Sequence, residues 1–163
     1  MSRMFLSLCG IGFLPYRIGA GVAIILTGAF CYGLHTLLPA DALYRFALFV
    51  GIFLVVFVLG AKMIPLMKEG NTFDHHWIVI DEFLGVLLAF IPLLVWRQTE
   101  LTPISTGALV FLFGFFDHFK PLGIRNIDAM EDWPPAVMLD DCVAGIYTAV
   151  IYHLLPTTYY LLT

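Results

Sequence analysis

Two adjacent acidic pairs, Asp81-Glu82 and Asp140-Asp141, stand at the heads of long apolar runs, and Asp117 stands near the end of another. Ionisable groups at membrane depth are rare and face protein or water where they occur. A helix N-terminus favours acids through its macrodipole, so either pair alone would be ordinary. Both pairs together with Asp117 at one level are not. That many carboxylates cannot share a site ionised unless a cation offsets their repulsion. All-oxygen donors suit Mg²⁺, Mn²⁺ or Ca²⁺ rather than a soft metal. Mg²⁺ typically uses one or two carboxylates, keeps waters and takes phosphate oxygens from its substrate. The expected metal ligands are therefore Asp81, Glu82, Asp117, Asp140 and Asp141. Lys120 follows Asp117 by three residues, on the same helical face if the helix continues that far. Arg125 and Arg17 fall on the same side of the membrane and could bind phosphate. A metal and cations at a water-exposed membrane rim suggest phosphate-bearing lipid headgroups as substrate.

These residues need helices to position them. Of the 163 residues, 61% are hydrophobic and only 12% charged, with a mean hydropathy of +0.94. Soluble domains lie near ~45–50% apolar and ~25% charged, so the composition is that of an integral membrane protein. The length is that of one domain, 1–163. A net charge of −4 without a basic tract gives no basis for nucleic-acid binding. The scattered Cys9, Cys31 and Cys142 make neither a disulfide framework nor a zinc site. Met1–Leu14 lacks a small-residue cleavage pattern, so the N-terminus is expected to stay.

Five runs approach the ~20 apolar residues of a spanning helix: Gly19–Leu38, Tyr44–Met67, Val79–Trp96, Ile104–Phe119 and Ala136–Leu155. The third and fourth are short, and residues 4–14 could add an interfacial or re-entrant piece. Pro39, Gly70-Asn71 and Pro103 punctuate the runs, Pro103 at a helix start. The fold class is all-α, a polytopic helical membrane protein with about five apolar helices.

Lys and Arg near helix ends set orientation. With five spans, one side receives Arg3, Arg17, Lys62, Lys68, Lys120 and Arg125, and the other only Arg45 and Arg97. The bias places the N-terminus in the cytoplasm. Asp74, Asp81, Glu82, Asp117, Asp128, Asp140 and Asp141 then all fall at the cytoplasmic face, although the acids played no part in the count. A carboxylate-based cation or proton carrier would use the same groups, but it needs a path across the bilayer. The opposite half offers only Asp41 and Glu100 near its loops. His75, His76 and His118 could assist or ligate; exposed loop histidines are more often solvated. Gly85, Gly107, Gly114 and Gly145 read as sites of close helix approach.

Three ordered blocks carry a resemblance. Asp74 followed by Ile78-Val79-Ile80-Asp81-Glu82-Phe83-Leu84-Gly85, then Phe113-Gly114-Phe115-Phe116-Asp117-His118-Phe119-Lys120-Pro121 with Ile124-Arg125 and Asp128, then Met138-Leu139-Asp140-Asp141 with Ala144-Gly145, resemble the phosphatidylglycerophosphatase A family from about Gly10 to Tyr147. The resemblance implies a multi-pass enzyme of the bacterial cytoplasmic (inner) membrane. It implies Mg²⁺-dependent hydrolysis of phosphatidylglycerophosphate at the cytoplasmic face, with a phospholipid substrate and the membrane as partners. Asp81, Glu82, Asp117, Lys120 and Asp141 are the expected catalytic residues, and Lys120, Arg125 and Arg17 the phosphate contacts. Which carboxylate is the base stays open, as does the oligomeric state. Gly114 stands where the family has Arg, Gly123 where it has Pro, and Pro134-Pro135 where it has a glycine pair. In the N-terminal block Ile18, Ala20, Val22 and Ala23 replace the family's Pro, Thr, Gly and Ser. The acidic half is thus intact while a hydroxyl and a guanidinium are missing. This leaves three expectations open: the same substrate, another lipid phosphomonoester, or a catalytically silent homologue.

Overall fold

The computed structural model describes residues 1–15, 18–39, 41–68, 72–95, 101–130 and 133–162, with side chains apart from 94, 95 and 155–162. In chain order the helices are α1 (Ser2–Leu6), α2 (Ile18–Leu37), α3 (Ala42–Met63), α4 (Ile80–Val95), α5 (Pro103–Phe119), α6 (Ile124–Asp128) and α7 (Ala136–Leu162), with 3₁₀ turns at Ile11–Phe13 and Ile64–Met67. The all-helical class expected from the sequence is the one observed. The five apolar helices differ in reach. Ile18–Leu37, Ala42–Met67 and Ala136–Leu154 are long and apolar enough to cross a membrane, and Pro103–Phe119 is a shorter apolar helix. At 16 residues, α4 extends only about 24 Å at 1.5 Å per residue.

Helix α4 is short because it is the core. A helix that is apolar all round must be buried all round. Ile80, Leu84, Val86, Leu87, Ala89, Phe90 and Leu93 are buried on its several faces, and α2, α3, α5 and α7 pack around it. The outer helices turn Ile25, Leu54, Val55, Val58 and Phe111 outward, a surface suited to lipid.

Local chemistry sets the helix ends. The Asp41 carboxylate accepts the Tyr44 N–H at 2.6 Å and caps α3. Pro65 cannot donate to the α-ladder, and α3 tightens there into the turn Ile64–Met67. Thr102 and Ser105 form a capping box ahead of α5, with Pro103 at its start as expected.

Residues 2–13 form a plug on the segment leading into α4. The Leu6 carbonyl accepts the Val79 N–H at 2.9 Å, and Phe13 stacks on Trp77 at 5.9 Å. The Arg3 guanidinium lies 5.6 Å from the Trp77 ring centre. These contacts hold the chain just before Ile80, and so set where the first turn of α4 begins.

The most extensive helix contact is between α4 and α7, and it closes at a pair of glycines. A Cβ on Gly145 would drive into the Gly85 carbonyl, and one on Gly85 would stand 2.6 Å from the Asp141 carbonyl oxygen. Backbones this close tolerate no side chain. Gly145→Val should therefore lower stability by about 3 kcal/mol or more, read as a fall in Tm of the detergent-solubilised protein. Gly107→Ala, where nothing lies within 4 Å of the new carbon, should leave Tm within a degree or two.

Candidate metal centre and phosphate cleft

The glycine crossing positions the acids. Gly85 lies one turn beyond Asp81 and Gly145 one turn beyond Asp141; residues four apart share a helix face. Both carboxylates thus emerge beside the tightest point of the α4–α7 contact. One oxygen each from Asp81, Glu82 and Asp141 lies within 4.8 Å of the other two. Asp81 also accepts the Glu82 N–H at 3.1 Å. These side chains are sequestered: Asp141 is 4% exposed, Asp81 8% and Glu82 9%.

Asp140, on the neighbouring face of α7, turns instead to Lys120. The Lys120 ammonium donates to Asp140 Oδ2 at 2.5 Å and to Asp128 Oδ1 at 2.5 Å, and Asp117 Oδ1 is 4.0 Å away. Lys120 terminates α5 in the left-handed conformation, φ 46°, ψ 53°, with its N–H bonded to the Phe116 carbonyl. A side-chain-bearing residue enters that region only when its surroundings hold it there. Leu122 and Gly123 also have positive φ, so the chain reverses sharply enough to bring Asp128 back onto the lysine. Burial works against the charge of Lys120, but the Asp140 charge and the hydrogen bonds the ammonium donates to Asp128 and Asp140 outweigh it and hold its pKa above the ordinary lysine value.

All these groups face one cleft of about 370 Å³, lined also by Thr72, Asp74, His75, His76 and His118. His75 donates from Nε2 to the Met67 carbonyl at 2.8 Å and lies flat against Trp77, which ties the loop before α4 to the end of α3.

The acidic set fits a hard divalent cation. Glu82 Oε2 and Asp140 Oδ1 are buried and have no hydrogen-bond partner among the described residues. An orphaned buried carboxylate oxygen is expensive, and a cation in the acidic cluster would supply what Glu82 Oε2 lacks. Asp81, Glu82 and Asp141 are the residues that would hold it.

Of the residues singled out in the sequence, Asp81, Glu82, Asp117, Lys120, Asp140 and Asp141 converge on the cleft. Two of the five expected ligands stand apart from the Asp81–Glu82–Asp141 cluster: Asp140 pairs with Lys120, and Asp117 lies 4.0 Å from the same ammonium. Arg125 sits exposed on α6 and is not among the cleft-lining residues, and Arg17 lies outside the described residues. Asp128, placed with the face acids by the sequence but given no role there, contributes by bonding Lys120. Its signal was present, a carboxylate eight residues after a Lys-Pro turn, but only the left-handed reversal at 120–123 makes that spacing a contact.

Among known proteins, the family model for phosphatidylglycerophosphatase A matches residues 4–156. A phosphatidylglycerophosphatase A of Haemophilus influenzae is 40% identical over 80 residues, 48% of this chain and 45% of that protein. That of Escherichia coli is 30% identical over 120 residues, 74% of this chain and 64% of the relative. A Bacteroides thetaiotaomicron protein named "Putative phosphatidylinositol-3-phosphatase" is 32% identical over 144 residues, 87% of this chain and 85% of its own. The matched region thus spans about half of the Haemophilus protein and under two thirds of the Escherichia one. No solved structure matches. With the family match running through all three acidic helix ends and the lysine turn, the chain belongs to the phosphatidylglycerophosphatase A family.

Proposed function

We propose that this protein is a Mg²⁺-dependent lipid phosphatase. It would hydrolyse phosphatidylglycerophosphate to phosphatidylglycerol and phosphate at the cytoplasmic face of a bacterial inner membrane. The observation that carries the reading is the opposition, across one cleft, of the Asp81–Glu82–Asp141 cluster and the Lys120 ammonium. Water adds to phosphorus, the P–O bond to the glycerol carbon chain breaks, and the departing oxygen takes up a proton. Bound Mg²⁺ would supply charge neutralisation for the phosphoryl oxygens and activation of water.

The chain's own residues do the rest. Lys120 has three ammonium hydrogens, and Asp128 and Asp140 take two. The third remains for a phosphoryl oxygen, where a fixed cation offsets charge that develops during transfer. Asp128 and Asp140 thus act as positioning residues for Lys120. Asp117 and His118 line the same cleft and would be the groups to exchange a proton with water or with the departing oxygen. The narrow, largely buried setting keeps the carboxylates from solvation by bulk water, which strengthens their hold on a cation.

A second reading, hydrolysis of another lipid phosphomonoester, is favoured by one comparison. The Bacteroides relative, matched over 87% of this chain and 85% of its own, carries a phosphatidylinositol-3-phosphatase name. Gly114, where the resemblance leads one to expect Arg, borders the cleft, and its lack of a guanidinium would alter headgroup recognition.

The proposal makes two sets of expectations. Phosphate release from phosphatidylglycerophosphate in detergent should require Mg²⁺ and stop with EDTA. Asp81→Ala and Asp141→Ala should each abolish release while the protein still elutes as a folded species. Unchanged turnover in either variant would remove the assignment, and release from a phosphoinositide alone would favour the second reading. Lys120→Met should lower kcat by about 100-fold or more. It should also lower Tm, because Asp140 is left buried and unpaired, a loss of about 3–5 kcal/mol for a broken buried pair. Adding Asp140→Asn to Lys120→Met should recover much of the Tm but none of the turnover.

A further inference from the structure

A second cavity, about 430 Å³, runs along the outside of the helix bundle between α2 and α5 and is walled by Ile25, Val110, Phe111, Phe115 and Phe119. Its walls are apolar, and Ile25, Phe111, Phe115 and Phe119 are exposed at its mouth. It is not separate from the acidic cleft: Gly21, Ile24, Gly114 and His118 line both.

Helix spacing explains its shape. At Gly28 a Cβ would run into the Val110 side chain, so α2 and α5 touch there. Two turns earlier on α2 and one turn later on α5, nothing lies within 4 Å of a Cβ on Gly21 or Gly114. The helices therefore part towards the acidic end and leave a wedge closed at Gly28 and open to the cleft at Gly21 and Gly114. Any larger residue at those positions would project into the passage.

We propose that this groove seats an acyl chain of the phospholipid whose phosphate occupies the acidic cleft, with the Gly21–Gly114 gap passing the glycerol backbone. A polar, cation-bearing cleft joined to an apolar groove matches a ligand with a phosphate at one end and hydrocarbon at the other. A helix of another protein laid on α2 and α5 would use the apolar walls but not the opening into the cleft. The inference rests on the lipid-phosphatase reading and extends it: the substrate enters sideways from the bilayer, and Gly114 sets the width of the entrance.

The test is photolabelling of the full chain in detergent micelles. The two probes are phosphatidylglycerophosphate with a diazirine in one acyl chain and phosphatidylcholine with the same chain, illuminated on ice with adducts mapped by mass spectrometry. The phosphomonoester lipid should mark Ile25, Phe111 and Phe115 at least tenfold more than phosphatidylcholine. That excess should vanish in Gly114→Leu and in Gly21→Leu, each shown to be folded by its Tm. Equal marking by the two lipids, marking of α3 to the same extent, or an excess kept in both variants would overturn the proposal. Shielding of Phe111 and Phe115 from both lipids would also overturn it, and would point to a protein partner on this face. Phosphate release from the same preparation separates the two readings. An excess without release leaves the groove standing and the phosphatase reading failed, whereas release without an excess overturns the groove.

Discussion

The contact between Gly85 and Gly145 is the constraint on which the rest of the structure depends. Two helices can approach with backbone against backbone only where neither carries a side chain: a Cβ on Gly145 would strike the Gly85 carbonyl, and one on Gly85 would strike the Phe113 ring and the Asp141 carbonyl. That contact fixes both the distance between α4 and α7 and their rotation about their own axes. One turn away, the same rotation aims Asp81 and Asp141 at each other. A looser crossing would separate the carboxylates; a rotated one would turn them towards apolar neighbours. The plug formed by residues 2–13 reinforces the arrangement from the outside, since the Leu6–Val79 hydrogen bond holds the entry to α4.

Electrostatics then divides the acids by role. Three carboxylates crowd together with a buried oxygen left unpartnered, which favours a cation; the fourth, Asp140, is matched by a lysine. The division follows from helix geometry, because adjacent residues on a helix point about 100° apart. An adjacent acidic pair can therefore serve two purposes at one depth, one member facing the cluster and the other facing the lysine turn. The left-handed conformation at Lys120 is held by its surroundings for the same end. It ends α5 and brings Asp128 onto the ammonium, so that one cation is clasped from α7 and from the end of α6.

Membership of the phosphatidylglycerophosphatase A family sits well with a core whose buried charged side chains, among the described residues, are Asp81, Glu82, Asp140 and Asp141. The departures from the family pattern fall elsewhere. Gly114 faces space shared by the cleft and the groove, so a side chain is missing there without any cavity in the packed core. A glycine at such a position leaves the cleft wall open there, and leaves the helix packing that supports the acidic cluster untouched.

The sequence by itself determined the helical class, the starts of the five long helices to within about two residues and the common level of the acids. Those properties follow from local rules: apolar run length, proline and cap positions, and the bias of Lys and Arg. Pro103, expected at a helix start, is the first residue of α5. Other features were decided only by tertiary structure. That Asp141 rather than Asp140 joins Asp81 and Glu82 depends on helix rotation, which no run length encodes and which the glycine crossing sets. That Asp140 pairs with Lys120, that Asp128 joins them and that Arg125 stays outside the cleft depend on the left-handed reversal after α5. Whether a short apolar helix spans the bilayer or forms the centre of a bundle depends on what surrounds it. For α4, four neighbouring helices supplied the answer.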